Sequence, residues 1–272
     1  MSQQVPAGVG TRPHTARLYD FYLGGKTNYG PDRHVAVEGL KVFPNAMIAA
    51  RQNRAFMHRA VRYLAREAGI RQFLDIGTGI PTAPNLHQVA QEEEPTARVV
   101  YSDNDPIVLA HARALMTSTP QGATDYVEAD VRRPEVILER ARETLDFSRP
   151  IGLTVIALFH FIADEDDPLG IVRHLLDALP SGSALALSHA TEDFDPEGMR
   201  QIAERYRQAN MHVRLRGHKE VLRFFDGVDL VEPGLAATCD WRLDLDTDDV
   251  PQLPGMVTPA EAGVWAGLGI KP

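Results

Sequence analysis

Four short runs in this 272-residue sequence hold residue types at spacings that could do chemistry: "FLDIGTGIPT" with Asp75, Gly77, Thr78 and Gly79, "VVYSDNDP" with Asp103 and Asn104, "VEADVRRP" with Asp130 and Val131, and "ALFHFIADEDD" with Phe159 and His160. Each follows an apolar run that reads as a strand. Glycines are needed after the first strand because a tight turn requires backbone angles barred to a residue with a Cβ, and because a ligand must approach the main chain closely. Asp103 falls about one strand–helix–strand unit later, where a carboxylate can accept hydrogen bonds from both hydroxyls of a ribose. Asp75, Asp103 and Asp130 all end strands, at the edge where open parallel sheets bind ligands. His160, near neutral in its reference pKa, suits a general base, and equally a packed histidine bonded to backbone. Asp105 before Pro106 reads as a helix cap. Asp164 to Asp167 could hold magnesium, but a solvated helix N-terminus accounts for them more simply, so no metal site is expected.

The elements that must position these residues follow from periodicity. "QFLDIG", "RVVYSD", "DYVEAD", "IGLTVIALF" and "SALALSH" are near-continuous apolar runs, and "NLHQVAQ", "PIVLAHARALM", "PEVILERARETL" and "PLGIVRHLLDAL" are the helical patterns between them. Such alternation predicts an α/β fold with a parallel sheet covered on both faces. Further helices are expected in "DPEGMRQIAERYRQAN" and "HKEVLRFF", strands in "VDLVEP" and "AGVWAGLGIKP", and an irregular connection from Thr238 to Pro259, making seven strands in all. Ahead of the sheet, "HTARLYDFYLGG", "GPDRHVAVEGL" and "NAMIAARQNRAFMHRAVRYLAREAG" read as two short helices and a long one, after about a dozen poorly ordered residues.

Composition excludes several classes. The net charge of −9, without a block of Lys and Arg, disfavours nucleic acid as a partner. No apolar stretch is long enough to span a membrane, the N-terminus lacks the apolar core of a secretory signal, and the single cysteine, Cys239, rules out an internal disulfide. A reducing cytoplasm is the expected location.

The strand-end pattern resembles the class I S-adenosylmethionine-dependent methyltransferases. That resemblance implies a doubly wound, seven-stranded, mostly parallel Rossmann-like sheet, with Asp75, Gly77 and Gly79 facing the methionine moiety, Asp103 and Asn104 the ribose, and Asp130 and Val131 the adenine. Thr78 and Phe159 complete the expected contacts, and Pro81 stands where many members have a third glycine. A closer likeness takes in "ARLYDFYLGGKTNYGPDR", "RQNRAFMHRAVRYLA", "VEPGL" with a downstream "WR", and the terminal "GLGIKP". It runs nearly end to end and is to the bacterial S-adenosyl methyltransferase family, long called a domain of unknown function. The implied cofactor is S-adenosyl-L-methionine, and the expected acceptor a small molecule or peptide, since no Asn-Pro-Pro-Tyr or Pro-Cys signature of a nucleic-acid methylase is present.

Residues 1–70 are then expected to form a helical cap over a core of 71–272, together one structural unit. Tyr22 and Asn28 of the cap are expected to touch the cofactor, and Arg51 and Arg54 of the long helix are weaker candidates for its carboxylate, since exposed arginines on a helix usually just solvate it, with Arg54 counted among the cofactor contacts. Two alternatives share much of this pattern: a non-catalytic S-adenosylmethionine binder acting as sensor or scaffold, and an NAD(P)-dependent oxidoreductase. The latter lacks both the Gly-x-Gly-x-x-Gly spacing and a Tyr-x-x-x-Lys motif.

Overall fold

The computed structural model describes residues 10–246 and 253–272. Three helices come first: α1 (Thr15–Tyr22), α2 (Gly30–Val42) and α3 (Ala46–Arg66). The expected disorder of the first dozen residues falls largely on 1–9, outside the described residues. Strands and helices then alternate through β1 (Gln72–Ile76), α4 (Leu86–Glu93), β2 (Arg98–Asp103), α5 (Pro106–Leu115), β3 (Ala123–Glu128), α6 (Pro134–Ala141), β4 (Gly152–Ile156), α7 (Pro168–Asp177) and β5 (Ala184–Ala190). There follow α8 (Pro196–Gln208), α9 (His218–Leu222), β6 (Asp229–Leu230), β7 (Ala236–Ala237), α10 (Pro259–Ala262) and β8 (Val264–Ile270).

The sheet order is β3-β2-β1-β4-β5-β8-β6, with β7 also on β8. Strands β1 to β5 pair in parallel, and β8 runs antiparallel to β5 with Leu187 opposite Gly267. The order reverses between β1 and β4, so a crevice opens at their carboxyl ends. Among the described residues eight strands stand in place of the expected seven: Ala236–Ala237 is a two-residue strand, too short to leave a period in the sequence. The expected Thr238–Pro259 connection is partly outside the described residues.

Alternation along each strand decides which layer a side chain enters. Leu74, Val100, Leu153 and Leu185 pack with Ile137, Ile171 and Leu175 on the face covered by α6 and α7. Phe73, Val99 and Ala186 join Phe56, Leu64 and Val89 on the face covered by α3 and α4. A third cluster lies above the strand ends, where Leu18 and Tyr22 of α1 and Ala46 and Ala50 of α3 meet Met199, Ile202 and Ala203 of α8. Gly69, with φ of 68°, turns the chain from α3 into β1.

Candidate active site

The glycine turn is built as its composition demands. Gly77 has φ of 75° and Gly79 of 69°, both in the left-handed region. The Gly77 N–H donates to the Ser102 carbonyl at 2.8 Å, which holds the turn against the end of β2. A Cβ on Gly77 would lie 3.0 Å from the Leu158 side chain, whereas one on Gly79 would meet nothing within 4 Å. Gly79 therefore faces open cleft.

A single large cleft brings the strand-end residues together: Asp75, Gly77, Thr78, Gly79, Asp103, Asn104, Asp130, Val131, Arg54, Tyr22 and His160 all line it. Asp75 is 8% exposed and accepts a 2.6 Å hydrogen bond from the Thr154 hydroxyl. Burial outweighs the Thr154 and Thr78 hydrogen bonds and the nearby Arg54 charge, pushing its carboxyl up to about 6. The Asp103 carboxylate accepts the Gly79 N–H on one oxygen and the Asp105 N–H on the other, each at 2.9 Å. Burial raises its pKa, opposed by those two bonds. Each oxygen keeps a lone pair for a further donor.

Arg54 projects from α3, and its guanidinium donates to the Thr82 carbonyl and, at 2.9 Å, to that of Pro84. Its Nε is buried and has no partner. A carboxylate and a guanidinium thus stand beside the glycine turn, the complementary charges for an α-amino-acid zwitterion. Arg51 is exposed and off the cleft. At the far end, Asp130 forms a bidentate pair with Arg132, which holds its carboxyl below the usual range.

Two expected contacts lie elsewhere. Phe159 is fully buried and stacks on Phe224 at 5.3 Å, because the one-turn helix after β4 points it into the sheet layer. Asn28 is buried in the α1–α2 turn, where its amide donates to Asp20 at 2.8 Å and to the Gly25 carbonyl at 3.0 Å, while its oxygen accepts from Arg33. A Cβ on Gly25 would stand 2.0 Å from the Asp20 carboxylate, so the Gly-Gly pair and Asn28 close a polar knot within the turn.

His160 lines the cleft as a poor base. Its Nδ1 accepts the Ala190 N–H at 3.4 Å, leaving the proton of the neutral ring on Nε2. Burial, with the Arg216 charge adding to it, lowers its pKa to about 3. Arg216 is itself buried, donating to the Phe159 carbonyl at 2.9 Å, to His189 Nε2 at 2.9 Å and to Asp164 at 2.6 Å. Asp164 is thereby committed to an ion pair, and Asp167 caps α7 by accepting the Gly170 N–H.

Two polar chains tie the N-terminal helices to this edge, and neither was evident in the sequence. In one, Arg17 is 5% exposed and bridges Asp32 and Asp105, each at 3.0 Å, so that α1 and α2 are joined to the residue hydrogen-bonded to Asp103. In the other, Asn53 donates to the Tyr19 hydroxyl at 2.9 Å and accepts from Ser188 at 2.5 Å, and Ser188 accepts the Ala157 N–H at 3.0 Å. Local signals could not reveal partners 88 and 135 residues apart.

The pattern of the S-adenosyl methyltransferase family matches residues 3–272. The chain belongs to that family. It is an S-adenosylmethionine-dependent methyltransferase, and the oxidoreductase alternative falls. This S-adenosyl methyltransferase is 47% identical to a DUF574 family protein of Streptomyces avermitilis, covering 97% of this chain and 99% of that one with a TM-score of 0.91. It is 40% identical to a candidate methyltransferase of Thermobifida fusca, covering 96% and 95% with a TM-score of 0.85. The plantazolicin methyltransferase BpumL, solved with S-adenosylhomocysteine and a desmethylPZN analogue, shares the fold at 13% identity, with coverage of 94% and 95% and a TM-score of 0.53. No protein of curated function matches the sequence. None of the described helices is long and apolar enough to cross a membrane.

Proposed function

We propose that this methyltransferase holds S-adenosylmethionine by its two polar ends and presents the methyl group to a small-molecule or peptidic acceptor under a roof formed by α1 and the start of α3. The observation that carries the proposal is the charge arrangement around the Gly77–Gly79 turn. Asp75 takes the ammonium and Arg54 the carboxylate of the amino-acid end, and Asp103 takes the ribose hydroxyls. Thr78 and Asn104 border the same path, and Val131 and Asp130 border the adenine end. When bound, the cofactor supplies an electrophilic methyl group on a sulfonium.

The protein's share is alignment and exclusion of water. Tyr19 and Tyr22 of α1 close the cleft from above, anchored by the Arg17 and Asn53 chains. His160 acts as a hydrogen-bond donor through Nε2, because a ring with a pKa near 3 cannot usefully take a proton from a hydroxyl at neutral pH. Among the described residues the carboxylates that line the cleft are Asp75, Asp103 and Asp130, all assigned here to the cofactor side, which leaves none for a cationic acceptor.

Calorimetric titration of S-adenosylhomocysteine and of NAD tests the proposal. Binding of the former, weakened at least tenfold in Asp103→Ala, supports it; equal affinity in that variant, or binding of NAD alone, refutes it. Label transferred from methyl-labelled cofactor into cell metabolites separates an enzyme from a sensor.

A further inference from the structure

The cleft is chemically divided. Among the described residues, every Asp, Lys, Arg or Glu that lines it, namely Arg54, Asp75, Asp103, Asp130 and Arg132, belongs to the strand-end region around the glycine turn. The other half lies between α1, the start of α3, and α8. Its walls are apolar: Leu18, Phe43, Ala50, Met199, Ile202 and Ala203 are all at most 8% exposed. Val213, Leu215 and Phe161 extend the same surface towards His160.

The polar side-chain atoms in this half are few and neutral, and they are engaged with one another or with backbone carbonyls. Tyr206 donates to the Tyr22 hydroxyl at 2.9 Å, and Tyr22 donates to the Ala36 carbonyl at 3.4 Å. Tyr19 donates to the Ala50 carbonyl at 3.0 Å. Tyr19 and Tyr22 already accept one hydrogen bond each, from Asn53 and Tyr206, whereas among the described residues nothing donates to the Tyr206 hydroxyl, and His160 carries an Nε2–H. Burial raises the pKa of all three tyrosines, so none supplies a negative charge at neutral pH. A charged acceptor group would leave water here with no counter-ion, whereas a neutral group that both donates and accepts one hydrogen bond would find partners.

We propose that this half is the acceptor chamber and that the acceptor is an electrically neutral, largely apolar small molecule, its one polar function placed between the tyrosine hydroxyls and His160. This rests on the methyltransferase reading above and narrows it, setting aside acidic acceptors and cationic peptides. Its shape comes from the third apolar cluster, to which α1 and α8 both contribute. That the N-terminal helices wall the chamber explains why they carry aromatic residues at their inner face.

Three naphthalenes of similar size and different charge make the test: 2-naphthol, 2-naphthoate and 2-naphthylmethylammonium, titrated by fluorescence into the full chain with and without S-adenosylhomocysteine. The naphthol is expected to bind at least tenfold more tightly than either ion in both states. Ile202→Asp is expected to reverse the order in favour of the ammonium, and Ile202→Lys in favour of the naphthoate, with S-adenosylhomocysteine affinity unchanged in both. A gain for one ion cannot come from an unfolded variant. Equal or tighter binding of either ion by the native protein overturns the proposal, as does failure of all three to bind a protein that binds S-adenosylhomocysteine. Failure of S-adenosylhomocysteine itself, with the naphthol preference intact, would instead overturn the cofactor reading and leave the chamber standing.

Discussion

Lowering the pH from 8 to 5 should weaken S-adenosylhomocysteine binding through Asp75. Burial lifts this carboxyl from 3.8 to about 6 in the cofactor-free protein. An ammonium bound beside it favours the ionised form, so binding must expel the proton wherever Asp75 carries one. Affinity should be flat above about pH 7 and fall roughly tenfold, about 1.4 kcal/mol, for each unit below 6. Titration in two buffers of different ionisation enthalpy should show release of about half a proton at pH 6 and almost none at pH 8. The same shift acts on stability with a definite sign. The folded protein holds this proton more tightly than the unfolded chain, so Asp75 destabilises the empty protein progressively as pH rises from about 4 through 6. At neutral pH the penalty is about 3 kcal/mol. Asp75→Asn, which keeps the Thr154 hydrogen bond, should therefore melt higher than the native protein at pH 8, with the gain vanishing towards pH 4. It should also bind S-adenosylhomocysteine weakly and with a shallower pH slope. An unchanged slope in Asp75→Asn, or no proton release at pH 6, would refute the reasoning.

Further expectations concern other residues. Asp103→Ala removes the carboxylate proposed to accept from the two ribose hydroxyls, about 1.5–3 kcal/mol for each bond, and should weaken S-adenosylhomocysteine accordingly in calorimetry. Arg17→Met strands the buried Asp32 and Asp105 and should cost about 3–5 kcal/mol in denaturant unfolding, much of it recovered in Arg17→Met/Asp32→Asn/Asp105→Asn. His160 should remain neutral down to about pH 4 by nitrogen NMR of the imidazole; a titration near 6.5 would restore it as a general base. Gly77→Ala, strained by its φ of 75° and by Leu158, should lower both thermal stability and cofactor affinity.

Much of this architecture is written locally. The five parallel strands and their helices are long runs of consistent period, and Asp75, Gly77, Gly79 and Asp103 sit where short strand–turn grammar places them. β6 and β7 are two residues each and exist only because β8 offers an edge. Asn28 and Phe159 show a different limit. A Gly-Gly-x-x-Asn turn has one composition whether its amide faces a ligand or, as here, closes on Asp20. An aromatic after a strand has no period to say which way a single helical turn will aim it. Arg17, Asn53 and Arg216 were invisible for a third reason: their partners are distant in sequence, and only the folded chain brings a buried charge or amide to the group that satisfies it. Arg132 is the exception, two residues from Asp130 and open to reading in "ADVRRP".

The most direct test is a crystal structure of the protein with S-adenosylhomocysteine. The account predicts the Asp103 carboxylate within hydrogen-bonding distance of both ribose hydroxyls, the amino-acid end between Asp75 and Arg54, and the sulfur facing the apolar half bounded by Tyr19, Tyr22 and Ile202. A nucleoside seated among Leu18, Met199 and Ala203, with the glycine turn free of ligand, would contradict it.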